Sequence, residues 1–389
     1  MSSNIATWCC VSSDFLQLFD RLLALPSVSS ANAALDMGNR KVLEELATAF
    51  TALGFHCELM DLPGQAHKAN LIATRGNGPG GLVLAGHTDT VPFDEALWHV
   101  KPLGLTQKDG RLYGLGSTDM KGFFAVVHEA VKAFADTSFK APLIIVATAD
   151  EESSMEGARA LVNQGRPQGR YAVIGEPTGL RPVNRHKGVM MERLHVQGQS
   201  GHSSNPALGR NALEAMHGMI AALLEFRREL QRDHHNPHFA LDVPTLNLGV
   251  IHGGDNPNRI CGHCALEFDV RLLPGMASDP LREAIRQRIE PIAARHGVVF
   301  SFTPLFPGVE AFANDHTELL SVCEQLTGHS AQSVSYGTEA PFFQQLGMDT
   351  LVLGPGSIDV AHQPDEYMAL DQVQPCIDLL RGLVKRFCL

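Results

Sequence analysis

The sequence predicts an α/β fold: a mixed, mostly parallel sheet flanked by helices, with a smaller α+β sandwich inserted into it. Three observations carry this. In the first half, apolar runs at residues 70–74, 82–85, 143–148 and 172–174 alternate with segments of helical periodicity, the rhythm of βαβ crossovers. Near Asn184 the pattern changes to strand–helix–strand–strand–helix, which suits a small sandwich. After Gly297 the chain returns to alternating strands and helices.

Each element has a local reason. Residues 14–25 and 40–53 carry apolar side chains at helical spacing, and the second segment ends at Gly54, a good C-terminal stop. Helices are expected from near Lys121 and over 155–163. In the insertion, 188–199 reads as a strand and Pro206 opens a helix to about Arg232. Strands at 245–251 and 265–272, a helix at 279–296 and a last helix at 371–387 follow. The domain expectation is therefore 1–184 with 297–389 as one domain and 185–296 as the inserted one.

With 389 residues, 44% hydrophobic and 19% charged, the chain has room for two cores. A formal charge of −11 argues against nucleic acid and anionic membrane surfaces as partners. No apolar stretch approaches the roughly 20 residues that span a bilayer, and Met1-Ser2-Ser3-Asn4 does not resemble the start of a signal peptide. The expected compartment is the cytoplasm. There the eight cysteines, Cys9 and Cys10 among them, read as free thiols. Cys261-Gly262-His263-Cys264 has dithiol spacing, yet it leads into an alternating strand pattern, so no helix N-terminus activates a thiol. His234-His235-Asn236-Pro237-His238 sits in a polar loop and reads as surface.

The chemistry collects at strand ends, where an open α/β sheet places its site. The run 82–85 leads into Gly86-His87-Thr88-Asp89. Residues two apart on a strand share a face, so one strand end could carry a metal-binding imidazole and the carboxylate that orients it. Read alone, the pair is equally a structural His–Asp contact. A Gly-rich loop, Gly114-Leu115-Gly116-Ser117-Thr118-Asp119, delivers Asp119 just before a helix. The run 143–148 ends in Asp150-Glu151-Glu152, and 172–174 in Gly175-Glu176-Pro177. Near the C-terminus, Ala361-His362-Gln363-Pro364-Asp365-Glu366 follows Gly354-Pro355-Gly356. Two histidines with several carboxylates suit zinc, cobalt or manganese. Glu151 and Glu152 divide naturally into a general base and a ligand.

These segments resemble the co-catalytic zinc metallopeptidase family that includes aminoacylase, succinyl-diaminopimelate desuccinylase and carboxypeptidase G. Gln199-Ser200-Gly201-His202-Ser203-Ser204, Tyr336-Gly337-Thr338-Glu339-Ala340-Pro341-Phe342 and Ala361-His362-Gln363-Pro364-Asp365-Glu366-Tyr367 are most similar to its acetylornithine and N-acetylcitrulline deacetylases. The resemblance implies two divalent metal ions, zinc or cobalt, bridged by Asp119. His87 and Glu176 would complete one site, Glu152 and His362 the other. It further implies Asp89 as the partner of His87, Glu151 as general base and a cis bond between Asp119 and Met120.

The implied reaction is metal-dependent hydrolysis of the acetyl amide of an N-acetyl-L-amino acid in arginine biosynthesis, N-acetyl-L-ornithine or N-acetyl-L-citrulline, releasing acetate. His202, in the inserted lid and dimerisation domain, is the candidate oxyanion donor, reaching the site of a second copy in a homodimer. Asn258 and Arg259 are candidate substrate contacts, Arg259 for the α-carboxylate, and Glu339 is expected near the substrate's distal end. The segment Asn258-Arg259-Ile260-Cys261 departs from the family's usual apolar, Pro-containing one, which leaves substrate choice open. The rival enzyme reading is a dipeptidase or carboxypeptidase with the same metals. A non-catalytic binding protein of this fold would lack a ligand or the base, and the sequence lacks none.

Overall fold

Residues 11–389 are described by the computed structural model of the chain. The segment Met1–Asn4 and the thiols of Cys9 and Cys10 lie outside the described residues.

A strand without a polar side is satisfied only inside a sheet covered on both faces. Leu82–His87 and Leu143–Thr148, buried at every position, pair in parallel at the centre. Tyr171–Ile174 lies parallel to Leu82–His87, and Asp349–Val352 parallel to Tyr171–Ile174. Four strands thus run one way. The hairpin of His56–Leu62 and Gln65–Arg75 joins antiparallel to Leu143–Thr148, which makes the sheet mixed.

Helices Ser13–Ala24, Arg40–Ala52, Lys121–Lys132 and Leu370–Cys388 bury Phe15, Phe19, Phe50, Phe123, Phe124 and Leu380 in one core with the strands. The first is capped by the Ser12 hydroxyl, which accepts the Phe15 N–H. A small sheet of Thr106–Lys108, Arg111–Tyr113 and Tyr367–Ala369 pairs Tyr367 with Tyr113. That pairing brings loop 361–366 beside loop 114–119.

The chain divides into two compact units. One runs up to Asn184 and resumes with Asn314–Gln332 and Thr338–Leu389. The other is Arg185–Ala313 with Ser333–Gly337. It therefore extends past the expected boundary at residue 296. The cause is strand Val299–Pro304, which pairs antiparallel with Gly188–Gln197 and completes a four-stranded sheet with Thr245–Gly253 and His263–Leu272. Helices Ala212–Asp233 and Ser278–His296 share its core, with Met216, Met219 and Leu223 against Leu194, Leu266 and Phe268.

The helix expected from Pro206 begins later. Pro206–Leu208 is a single 3-10 turn capped by Asn205, and extended Gly209 breaks it. Asn211 then caps the true helix by accepting the N–H groups of Leu213 and Glu214. Among the described residues, no helix is long and apolar enough to cross a membrane.

Candidate metal centre

The parallel strands deliver their following residues to one end of the sheet. His87 is the last residue of its strand, Glu151 and Glu152 follow Thr148, and Glu176 follows Ile174. Asp119 arrives on the loop before helix Lys121–Lys132, across a cis Asp119–Met120 bond. Gly86 leaves room for this segment, since a Cβ there would overlap the Met120 side chain.

Asp119 lies between two histidines. Its Oδ1 is 2.9 Å from His87 Nε2 and its Oδ2 is 3.3 Å from His362 Nε2. His87 Nε2 also lies 3.9 Å from Glu176 Oε1, and His362 Nε2 lies 3.0 Å from Glu152 Oε1. Donor atoms of His87, Asp119 and Glu152 all fall within 4.8 Å of one another. Glu176 Oε1 is buried without a hydrogen-bond partner, and an orphaned acceptor of this kind is open to an ion. Imidazole nitrogens and carboxylate oxygens in this proportion suit a borderline divalent metal. The cluster can hold a metal.

Its electrostatics are those of crowded, buried acids. Burial pushes Glu151 and Glu176 well above the usual carboxylate range, with Glu176 and Asp119 respectively the leading acidic neighbours. Burial also raises Glu152. Asp119 moves the other way: His362 and His87 outweigh its burial and hold it below the usual range. Burial pulls His87 down, but Asp119, Asp89 and Glu176 lift it well above its ordinary value. Asp119 and Glu152 lift His362 to about 10.

Asp89 meets His87 differently from the expectation. The His87 Nδ1–H donates to the Asp89 backbone carbonyl at 3.0 Å, while the carboxylate Oδ1 stands at 3.7 Å. Oδ2 instead accepts the Glu152 N–H at 3.0 Å. A residue two positions along reaches back with its backbone first, so the side chain is left to hold the Glu151–Glu152 turn.

That turn has a second anchor the sequence did not reveal. Asp150, with φ of 61°, accepts the Lys68 ammonium at 2.6 Å and the Ser29 hydroxyl at 2.9 Å. Lys68 also binds Asp36 at 2.8 Å. A lysine that follows three polar or small residues at the start of a strand gives no sign that its head is buried.

Glu339 stands near the same acids. It is fully buried before helix Ala340–Gln345, and neither carboxylate oxygen has a hydrogen-bond partner. Burial raises it to about 7, and its charge acts on Glu151 and Glu176. It belongs electrostatically to the candidate metal centre.

In the second unit, segments 201–203 and 258–260 pair through His202 and Arg259. Ser200, Gly201, His202, Asn258 and Arg259 line a cleft of about 400 Å³. The structure thus brings the three remaining site candidates together. His202 Nδ1 accepts the Ser204 N–H at 3.2 Å and lies 2.7 Å from its hydroxyl. The ring proton is thereby assigned to Nε2, the atom left to donate. Arg259 donates to Asp255 at 2.6 Å, so one corner of its fork is already engaged. Cys261 and Cys264 are buried, Cys261 donates to the His263 carbonyl, and burial raises the Cys264 thiol, none of which favours a reactive thiolate.

Comparison with known proteins gives the family. The chain is 47% identical over 377 residues to acetylornithine deacetylase of Vibrio parahaemolyticus, covering 96% of this chain and 98% of the relative. It is 46% identical to that of Pectobacterium carotovorum, with the same coverage. Among solved structures, an M20 family metallo-carboxypeptidase from Sulfolobus solfataricus superposes with a TM-score of 0.75 at 17% identity, covering 96% of this chain and 99% of that one. A dinuclear metal-binding M20 peptidase from Bacillus subtilis gives 0.67 at 16% identity, covering 96% and 98%. The model of peptidase family M20/M25/M40 matches residues 83–386. An amide-bond hydrolase by its sequence relatives, the chain belongs to peptidase family M20/M25/M40.

Proposed function

We propose that the chain hydrolyses N-acetyl-L-ornithine to acetate and ornithine, a step of arginine biosynthesis, using two divalent metal ions, zinc or cobalt. The observation that carries this is Asp119, which turns one oxygen to His87 at 2.9 Å and the other to His362 at 3.3 Å. A carboxylate so placed suits two ions at once. His87 and Glu176 would hold one, Glu152 and His362 the other.

Bound ions would polarise the amide carbonyl and acidify water. Glu151 takes the proton of the attacking water and returns it to the leaving amine as the C–N bond breaks. Its raised affinity for a proton suits a carboxyl that must carry one between steps. Asp89 fixes the turn that presents Glu151, through the Glu152 N–H. His202 donates Nε2–H to the developing oxyanion, and we assign it to a second copy of the chain in a homodimer. The exposed apolar residues Val250 and Ile251, on the edge strand Thr245–Gly253, favour such pairing. Asn258 and the free part of the Arg259 fork take the substrate's α-carboxylate.

The choice of acetylornithine rests on relatives of that name at 46–47% identity over nearly the whole chain. The peptidases among the solved structures, at under 20% identity, support the fold alone. Buried free thiols at Cys264, Cys323, Cys376 and Cys388 favour the cytoplasm, where they stay reduced. The test is turnover of acetylornithine, acetylcitrulline and a dipeptide panel by metal-reconstituted protein, with and without chelator. Fastest turnover of acetylornithine, abolished by chelation, is expected. A preference for acetylcitrulline or a dipeptide would refute the assignment.

A further inference from the structure

We propose that Glu366 is a positioning residue for Asp119, locking the loop that presents this carboxylate to the loop that presents His362. The inference rests on the metal-centre reading above. In loop 114–119 the N–H groups of Gly114, Leu115 and Ser117 find backbone carbonyls, and those of Gly116, Thr118 and Asp119 do not. Buried N–H groups must find acceptors. The Glu366 carboxylate takes all three: Oε2 accepts from Gly116 at 3.0 Å, and Oε1 accepts from Thr118 at 2.8 Å and Asp119 at 2.9 Å.

Two more bonds run the same way, from loop 114–119 to the segment of Glu366. The Gly114 N–H donates to the Glu366 carbonyl at 3.0 Å, and the Thr118 hydroxyl to the Tyr367 carbonyl at 2.7 Å. Gly116, at φ of 80°, bends the loop so that its N–H groups converge, the concave arrangement that elsewhere binds anions. Here the acceptor is the chain's own side chain, and at 1% exposure water cannot replace it.

Only glutamate fits. Glutamine would turn an NH2 group toward at least one of the three donors, and aspartate is one methylene short. Because His362 lies four residues before Glu366, the same carboxylate sets the separation between the bridging ligand and the histidine of one metal site. Misplacing it should weaken both sites, since Asp119 serves both.

The experiment is zinc titration against a chromophoric chelator for metal-stripped wild type, Glu366→Gln and Asp365→Ala. The last removes the anchor of the His362 loop on residues 99–100, without touching loop 114–119. We expect Glu366→Gln to bind both ions about 10–100-fold more weakly, the usual loss when a ligand's supporting hydrogen bonds go. Its kcat should fall with KM unchanged, while Asp365→Ala loses less affinity at a comparable drop in Tm. Wild-type affinity in Glu366→Gln, or an equal loss in Asp365→Ala, would overturn the proposal. Should Glu366→Gln not fold, amide exchange in metal-stripped wild type decides: slow exchange at Gly116, Thr118 and Asp119 supports the lock, and fast exchange overturns it. Wild type that binds no zinc would refute the metal-centre reading instead, and the exchange rates would still judge the lock.

Discussion

Glu151 and Glu152 are neighbours in sequence with different surroundings, and the difference suits the separate roles proposed for them. Glu152 is held from two sides, its backbone N–H by Asp89 and its carboxylate by His362. Glu151 stands among other acids, which with burial raise its proton affinity. Replacing Glu151 with Gln should leave metal content intact and cut kcat by about 10²–10⁴, the typical share of a general acid–base; plasma emission for metal and steady-state kinetics check both. His202→Ala should also retain its metal and lose about 10²–10³ in kcat, as removal of an oxyanion donor does. Unchanged turnover would remove His202 from the reaction.

At the scale of the element, the parallel strands and the loops at their ends were legible because apolar runs and their punctuation are local signals. So were three of the ligand candidates, His87, Glu152 and Glu176, each at or soon after the end of such a run. What sequence could not show is who supports them. Lys68 and Glu366 act across 82 and 247 residues on Asp150 and Asp119, and no spacing encodes a contact that only the closed sheet creates. Strand Val299–Pro304 alternates Phe300 and Phe302 with Ser301 and Thr303, but no such pattern says which sheet a strand joins, so the inserted unit seemed to end too early. The loop of His362 also predicts a pH effect. Without metal, Asp119 and Glu152 keep His362 protonated up to about 10, yet a ligand must be deprotonated. Metal binding at pH 7 should therefore release protons, and affinity should fall as the pH is lowered. Calorimetry in buffers of unlike ionisation enthalpy would show it; a buffer-independent heat would contradict it.

For the whole molecule, two separate cores divide the labour: one unit carries every metal-ligand candidate and the base, the other carries His202, Asn258 and Arg259. If His202 acts in the site of a second copy, two dead variants can repair each other. Random pairing of equal amounts of Glu151→Gln and His202→Ala makes half the dimers mixed, each with one intact site of two. The mixture should recover about a quarter of wild-type activity, as the symmetry of a two-fold dimer requires. No recovery after subunit exchange, verified by mass, would argue against a shared site.

The ion pair between Lys68 and Asp150 ties the catalytic turn to the margin of the large sheet. Strand Gln65–Arg75 pairs with Leu143–Thr148 only from Leu71 to Arg75; around Lys68 its sole strand neighbour is the outermost one, His56–Leu62. Sheet margins fray before centres do. On warming, the Glu151–Glu152 turn should come loose with that margin while the parallel strands stay folded. Heat should then silence the enzyme several degrees below the temperature at which circular dichroism reports unfolding, and loss of both together would show that the margin is as firm as the core.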